Sequence, residues 1–288
     1  MNARNAHAVD RTDEVIGERY RLLNLLDRGG QGAVYRAQDL RDGDEVAVKV
    51  LNAPDVDGAE WRERMFREAH ALTVLSGTAA VRVYHQVWAG DGALCLIMEL
   101  LRGSDFEDYL KEREAVGAAP SVLDLSPLLE PIVETLEAAH DVGILHRDIK
   151  PGNIYVQHDG SVRLLDFGLA KFVRMRSLTA AGFVAGSPNY IAPEGWKGKT
   201  QILDQRIDVY GLAAVIFRAL TGKPPFAADD VRDVLLQATR GERPSLHALR
   251  PDLRTEVDDW VKQALAIEPD DRFTRVRGMW QALKSIAS

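Results

Sequence analysis

The chain has 288 residues, 46% of them hydrophobic, and its 36 Lys+Arg against 43 Asp+Glu give a formal net charge of −7. That length and apolar content suit one large domain or two lobes and exclude disordered and collagen-like classes, while an acidic balance without a long basic run argues against nucleic acid as a partner. One cysteine, Cys95, precludes an internal disulfide, and neither a signal-peptide core nor a run of roughly 18 apolar residues is present, so the expectation is a cytoplasmic protein with no membrane segment in this chain.

Residues 1–18 are polar and unpatterned and read as an N-terminal tail. From Tyr20 the runs RLLNLL, AVYRAQDL and EVAVKVLN are each rich in apolar or β-branched residues and separated by Gly/Asp turns, which predicts an antiparallel meander. The stretch Glu60 to Leu75 places Met65, Ala69, Leu72 and Leu75 on one face at helical spacing. Two further apolar runs, VRVYHQVW and ALCLIMEL, complete a small sheet, and Cys95 in the second reads as a buried strand thiol. Beyond Leu101 the periods are helical, most clearly over Leu128 to His140, Ile207 to Thr221, Ala228 to Arg240 and Glu256 to Leu265. The fold class is therefore α+β: a small antiparallel β-lobe with one main helix over about 19–100, then a larger, mainly helical lobe over about 101–288.

Three stretches carry chemistry. The turn Leu26-Asp27-Arg28-Gly29-Gly30-Gln31-Gly32-Ala33-Val34 puts glycines where backbone N–H groups can cradle an anionic ligand, although a Gly-rich hairpin turn is common in its own right. Lys49 ends the apolar strand Val46-Ala47-Val48, and Glu68 follows on the amphipathic helix as its partner; the pair suits a hold on phosphate oxygens. The strongest stretch is His146-Arg147-Asp148-Ile149-Lys150-Pro151-Gly152-Asn153 followed by Asp166-Phe167-Gly168. Two carboxylates, a cation and an amide on neighbouring loops are what metal-assisted phosphoryl transfer needs.

From about Tyr20 to Leu283 the sequence resembles the protein kinase family, with Gly29-x-x-Gly32-x-Val34, Val46-Ala47-Val48-Lys49, His146-Arg147-Asp148-x-x-x-x-Asn153, Asp166-Phe167-Gly168 and Ala192-Pro193-Glu194 in family order. Lys150 marks the Ser/Thr branch, and RGGQGAVYRA with TGKPPF is most similar to bacterial kinases of eukaryotic type. The resemblance implies the two-lobed kinase fold and transfer of the γ-phosphoryl of ATP to Ser/Thr hydroxyls of a protein substrate. It implies Mg²⁺, with Mn²⁺ as a substitute, and leaves room for self-association in autophosphorylation. By the same resemblance Asp148 orients the substrate hydroxyl, Lys150 steadies the γ-phosphate, Asn153 and Asp166 hold the metal, and Lys49, paired with Glu68, holds the α/β-phosphates. Leu26, Asp27, Gly29, Gly30, Gly32, Val34 and Ala47 would line the nucleotide. Met98 is the gatekeeper, Glu99 to Leu101 would hydrogen-bond adenine through the backbone, and Tyr155 would contact its ring. Asp208 would brace the catalytic loop, and Arg272 would pair with Glu194.

Three positions depart from the family pattern, the mildest being Ala213 at a family glycine position. Asp27 replaces the first loop glycine, and Tyr155 stands where an aliphatic residue is usual. A pseudokinase that binds without turnover has Asp27 and Tyr155 as its only support, because loss of a motif is what normally announces that class. A small-molecule phosphotransferase on the same fold, resembling the aminoglycoside and choline kinases, would lack the Gly186 to Glu194 segment that this chain carries. The resemblance also points to an activation-loop switch, with phosphate on Thr179 or Ser177 met by Arg147, Lys171 and Arg64.

Overall fold

The structure, a computed structural model, describes residues 10–29, 32–51, 72–117, 119–167, 188–196 and 203–287. The chain divides into two compact units: one comprises Met1–Thr73 and Arg82–Leu101, the other Val74–Val81 and Arg102–Ser288.

In the first unit, β1 (Val15–Ile16), β2 (Tyr20–Gly29), β3 (Gly32–Asp39), β4 (Glu45–Leu51), β5 (Val83–Trp88) and β6 (Leu94–Glu99) form one antiparallel sheet in the order β1-β2-β3-β4-β6-β5. Strand alternation sends successive side chains to opposite faces. Tyr35 and Ala37 of β3, Val46, Val48 and Val50 of β4, and Cys95 and Ile97 of β6 therefore share one apolar cluster with Ile16, Tyr20 and Leu22. Burial pushes the Cys95 thiol up to about 12, as expected of an inert strand thiol.

Val15 and Ile16, within the stretch expected as tail, belong to this sheet. Strand β1 pairs with β2 through Val15↔Arg21 and Ile16↔Tyr20, and Ile16 is 1% exposed. Arg11 adds ion pairs to Glu14 at 2.6 Å and to Asp91 at 3.2 Å. Two residues are too short a run to show alternation, so polar neighbours masked the one apolar side chain that folds inward. The helix expected over Glu60 to Leu75 lies outside the described residues except for a 3₁₀ turn at Leu72–Leu75.

The second unit opens with β7 (Gly103–Asp105), α1 (Phe106–Ala115) and α2 (Val122–Asp141), followed by β8 (Ile154–Gln157) and β9 (Val162–Leu164). Strands β7, β8 and β9 form a three-stranded antiparallel sheet. Helices α3 (Pro193–Trp196), α4 (Arg206–Thr221), α5 (Val231–Arg240), α6 (Leu246–Leu249), α7 (Val257–Ala264) and α8 (Val276–Ala287) follow. Helix α2 starts in a capping box, in which Ser121 Oγ accepts the Asp124 N–H and the Asp124 carboxylate accepts the Ser121 N–H. Helix α4 is buried on every side, each residue from Ile207 to Leu220 included, which makes it the core of this unit. Gly211 lets it approach closely: a Cβ there would sit 2.9 Å from the Ile149 Cβ. The segment Val74–Val81 docks on β9, where Ala80 bridges Leu164 in parallel register.

Candidate active site

In the first unit the sheet register aligns the expected nucleotide contacts. Val34 is paired with Lys49 and Lys49 with Leu96, while Arg36 pairs with Ala47 and Ala47 with Met98. Val34, Ala47, Lys49 and Met98 thus lie on the face opposite the apolar cluster, with Lys49 only 6% exposed. A lysine at that depth on an apolar strand face is a group held for a purpose, since such ammonium groups are seldom buried without a partner.

Hairpin β2–β3 carries Leu26, Asp27 and Gly29 on one strand and Gly32 on the other. Leu26 and Asp27 are exposed, Asp27 is paired with Val34, and its carboxylate accepts the Arg28 N–H at 2.7 Å, so the charge faces solvent. Gly29 pairs with Gly32, and the two differ in what holds them glycine. A Cβ on Gly29 would meet nothing within 4 Å, whereas one on Gly32, at φ +153°, would lie 2.0 Å from the Val50 carbonyl oxygen. Gly32 is required by the sheet itself. At the end of β6 the Glu99 N–H is given to the Arg82 carbonyl at 3.0 Å, and a Glu99 carboxylate oxygen accepts the Arg82 N–H at 2.9 Å. That N–H cannot also serve a ligand, which leaves the rest of the 99–101 backbone. Gly30 and Glu68 lie outside the described residues.

In the second unit the catalytic loop hangs on Asp208 of α4. The Asp208 carboxylate accepts the His146 N–H at 2.8 Å, the Arg147 N–H at 2.6 Å and the His140 Nε2 at 2.8 Å. Burial alone would raise its pKa; the hydrogen bonds from His140 and the Arg147 N–H outweigh that and hold it below the ordinary carboxylate range. The same network lets Arg147 adopt φ +65°, a left-handed conformation uncommon outside glycine. The loop thereby brings Lys150 Nζ to 3.1 Å from an Asp148 carboxylate oxygen. Asn153 Nδ2 donates to the Asp148 carbonyl at 2.6 Å and to its carboxylate at 3.1 Å.

Asp166 follows β9 and is fixed through its neighbour. The Leu165 N–H donates to the Asn153 carbonyl at 2.8 Å, and His146 Nε2 lies 2.6 Å from the Leu165 carbonyl. The His146 ring also packs on Phe167 at 4.7 Å between centroids. Burial keeps His146 below the usual histidine range, so it is neutral and its Nε2–H donates to Leu165. With two partners tying Leu165, Asp166 is held at φ +56°.

The residues fit a divalent magnesium ion. Asn153 commits its Nδ2 to Asp148, which leaves Oδ1 as the donor atom, and Asp166 supplies a carboxylate: both are the hard oxygen ligands that magnesium takes.

Tyr155 stands half-buried on β8, and its hydroxyl donates to the Gly103 carbonyl at 2.8 Å. Glu194 and Arg272 meet in a two-pronged pair at 2.8 and 2.7 Å, with Arg272 Nε bonded to the Ala266 carbonyl. Ser177, Thr179, Lys171 and Arg64 lie outside the described residues. His140 was not singled out from sequence. Its signal was present: it follows Leu136 by one helical turn on the buried face of α2, where a polar side chain needs a partner.

A protein kinase domain model matches residues 20–285. The serine/threonine-protein kinase PknL of Mycobacterium bovis is 33% identical over 273 residues, covering 95% of this chain and 67% of that protein. PknH of the same organism is 34% identical, over 88% of this chain and 41% of its own length, and Pkn1 of Myxococcus xanthus is 33% identical, over 98% and 40%. Among solved structures, the M. tuberculosis PknI kinase domain aligns with TM-score 0.74 at 27% identity, over 96% of this chain and 98% of that one.

Proposed function

The chain belongs to the protein kinase family, among the eukaryotic-like serine/threonine kinases of bacteria, and from that premise we infer how its own residues carry ATP-dependent transfer to protein serine and threonine hydroxyls. Asp148 accepts the hydrogen bond of the substrate hydroxyl and aims its oxygen. Lys150, 3.1 Å from that carboxylate, is placed to neutralise the phosphoryl group in transit. Asn153 Oδ1 and Asp166 hold Mg²⁺, which supplies charge neutralisation of the phosphates when bound. Lys49 holds phosphate oxygens from its strand, with Glu68 as its partner. Val34, Ala47 and Met98 present apolar surface to the base, to which Tyr155 adds its ring. The nucleotide is further lined by Leu26, Asp27, Gly29, Gly30 and Gly32.

The observation that carries this reading is the bonded set Lys150–Asp148–Asn153, joined through the Asn153 carbonyl to the residue before Asp166. Phosphoryl transfer is chiefly positioning and electrostatics, and these bonds fix the set relative to one another. Mg²⁺ as the working metal, Mn²⁺ as its substitute, a cytoplasmic setting and control by phosphate on Thr179 or Ser177 belong to the same proposal. No helix among the described residues is long and apolar enough to cross a membrane. The test is incubation of the purified chain with labelled ATP, Mg²⁺ and a basic protein acceptor beside Asp148→Asn. Label on Ser and Thr in the wild type alone supports the reading; label in neither, or in both equally, overturns it.

A further inference from the structure

Thr135 is the polar exception on the buried face of α2. It is 0% exposed and stands among Ile132, Leu136 and Ala139, all buried. Its hydroxyl donates to the Pro131 carbonyl at 2.7 Å and accepts the Ala79 N–H at 2.9 Å, across 56 positions of sequence. A valine would fill the same volume on that face, so packing alone does not call for the oxygen. What the oxygen does is satisfy a buried N–H that has no strand or helix partner of its own.

Ala79 passes the constraint on. Its carbonyl accepts the Leu164 N–H at 2.7 Å, and two residues later the Val81 N–H donates to the Leu164 carbonyl at 2.9 Å. Leu165 is tied in turn to Asn153 and His146, as described, and Asp166 comes next. Both backbone groups of Leu164 thus depend on the segment that Thr135 anchors.

We propose that Thr135 is a positioning residue for the metal-binding carboxylate: through its bond to the Ala79 N–H it fixes the 79–81 segment against Leu164 and so sets the backbone from which Asp166 projects. This rests on the assignment of Asp166 as a metal ligand. Loss of the hydroxyl loosens the strand that carries the ligand and leaves the ligand itself intact. The enzyme then needs more Mg²⁺ for the same rate.

The experiment compares Thr135→Val, Thr135→Ala and Thr135→Ser in the full chain, with Asp166→Asn in parallel. Two quantities are read well below the melting transition: the Mg²⁺ concentration giving half-maximal rate at fixed ATP, and amide hydrogen exchange at Ala79 and Leu164 in metal-free protein. Val and Ala should raise the first about three- to tenfold and speed the second about tenfold, while Ser restores both. A Val variant that melts lower yet keeps the wild-type Mg²⁺ requirement and Leu164 exchange overturns the proposal, because its role is then packing alone. An effect in Ala but not in Val overturns it for the same reason. Should Val fail to fold, Ser at wild-type values with Ala shifted supports it, and Ser and Ala alike overturn it. If Asp166→Asn leaves the Mg²⁺ requirement unchanged, the metal assignment falls and takes this proposal with it. If Asp166→Asn shifts it and the Thr135 variants do not, only the proposal falls.

Discussion

The sheet of the first unit and the catalytic loop of the second solve the same problem, holding a polar group in place, by different physics. On the sheet, Lys49 is placed by strand alternation and by a register repeated along β3, β4 and β6. Many equivalent backbone bonds share the work, so no single side chain decides it. On the loop, Asp148, Asn153 and Asp166 are placed by individual buried hydrogen bonds that converge on Asp208, His146 and Leu165. Each of those bonds has no duplicate, and each broken one leaves a buried group unsatisfied. Substitutions in the apolar cluster of the sheet should therefore cost stability only, while breaking a supporting bond of the loop should cost stability and rate together.

The largest effect falls on the reacting groups themselves. Asp166→Ala should lower turnover on the order of 10³-fold while the melting temperature of the metal-free protein stays near wild type, a loss expected where preorganised charge is removed. Full activity in that variant would dissolve the distinction between the two regions. Next come the supports. Asp208→Ala orphans the N–H groups of His146 and Arg147, at about 1–3 kcal/mol each, and should also cost on the order of 10² in turnover. Val48→Ala, in the sheet cluster, should cost roughly 2 kcal/mol with the rate unchanged at temperatures where it is folded. Chemical denaturation and initial rates measured on both variants check the pair; a rate loss in Val48→Ala of the same size would break the comparison.

The hairpin glycines sharpen it further. Gly32→Ala must push β3 from the Val50 carbonyl and should lower the melting temperature by several degrees. Gly29→Ala meets open space, so it should leave melting unchanged and raise the KM for ATP several-fold if that turn cradles phosphates. Calorimetry and ATP titrations separate the two. Tyr155→Phe loses the bond to Gly103, about 1 kcal/mol of stability, and keeps the ring. Tyr155→Leu should in addition change the ATP KM several-fold with kcat less affected, the mark of a ground-state contact; identical KM values would place the ring away from the base.

The smallest effect is a pH dependence. Folded His146 is held below the ordinary histidine value by burial, so below about pH 6.5 the unfolded chain binds a proton that the folded chain refuses. Stability is then lost as pH falls through that window and is unaffected above it. Asp208, also held low, acts in the same direction but only below about pH 4. His146→Phe cannot titrate and should show a smaller drop in melting temperature between about pH 7.5 and 5.5 than the wild type. Equal drops would assign that slope to other groups.

Sequence by itself determined the parts whose physics is local. Apolar and β-branched runs bounded by turn residues marked β3, β4 and β6, helical spacing marked α2, α4, α5 and α7, and the order Lys49, Asp148, Asn153, Asp166 marked the chemistry, because residue type and spacing carry those signals along a few neighbouring positions. Tertiary structure alone decided the partners. Ile16 reads as part of a polar tail until β2 lies beside it, His140 and Thr135 read as ordinary helix residues until Asp208 and Ala79 arrive across 68 and 56 positions, and the close approach of the Val50 carbonyl to Gly32 exists only once β4 lies beside β3. Segment 74–81 follows one unit in sequence and joins the other in space. A buried hydrogen bond fixes only that a polar group must have some partner, and which partner it finds depends on long-range packing that no local pattern encodes.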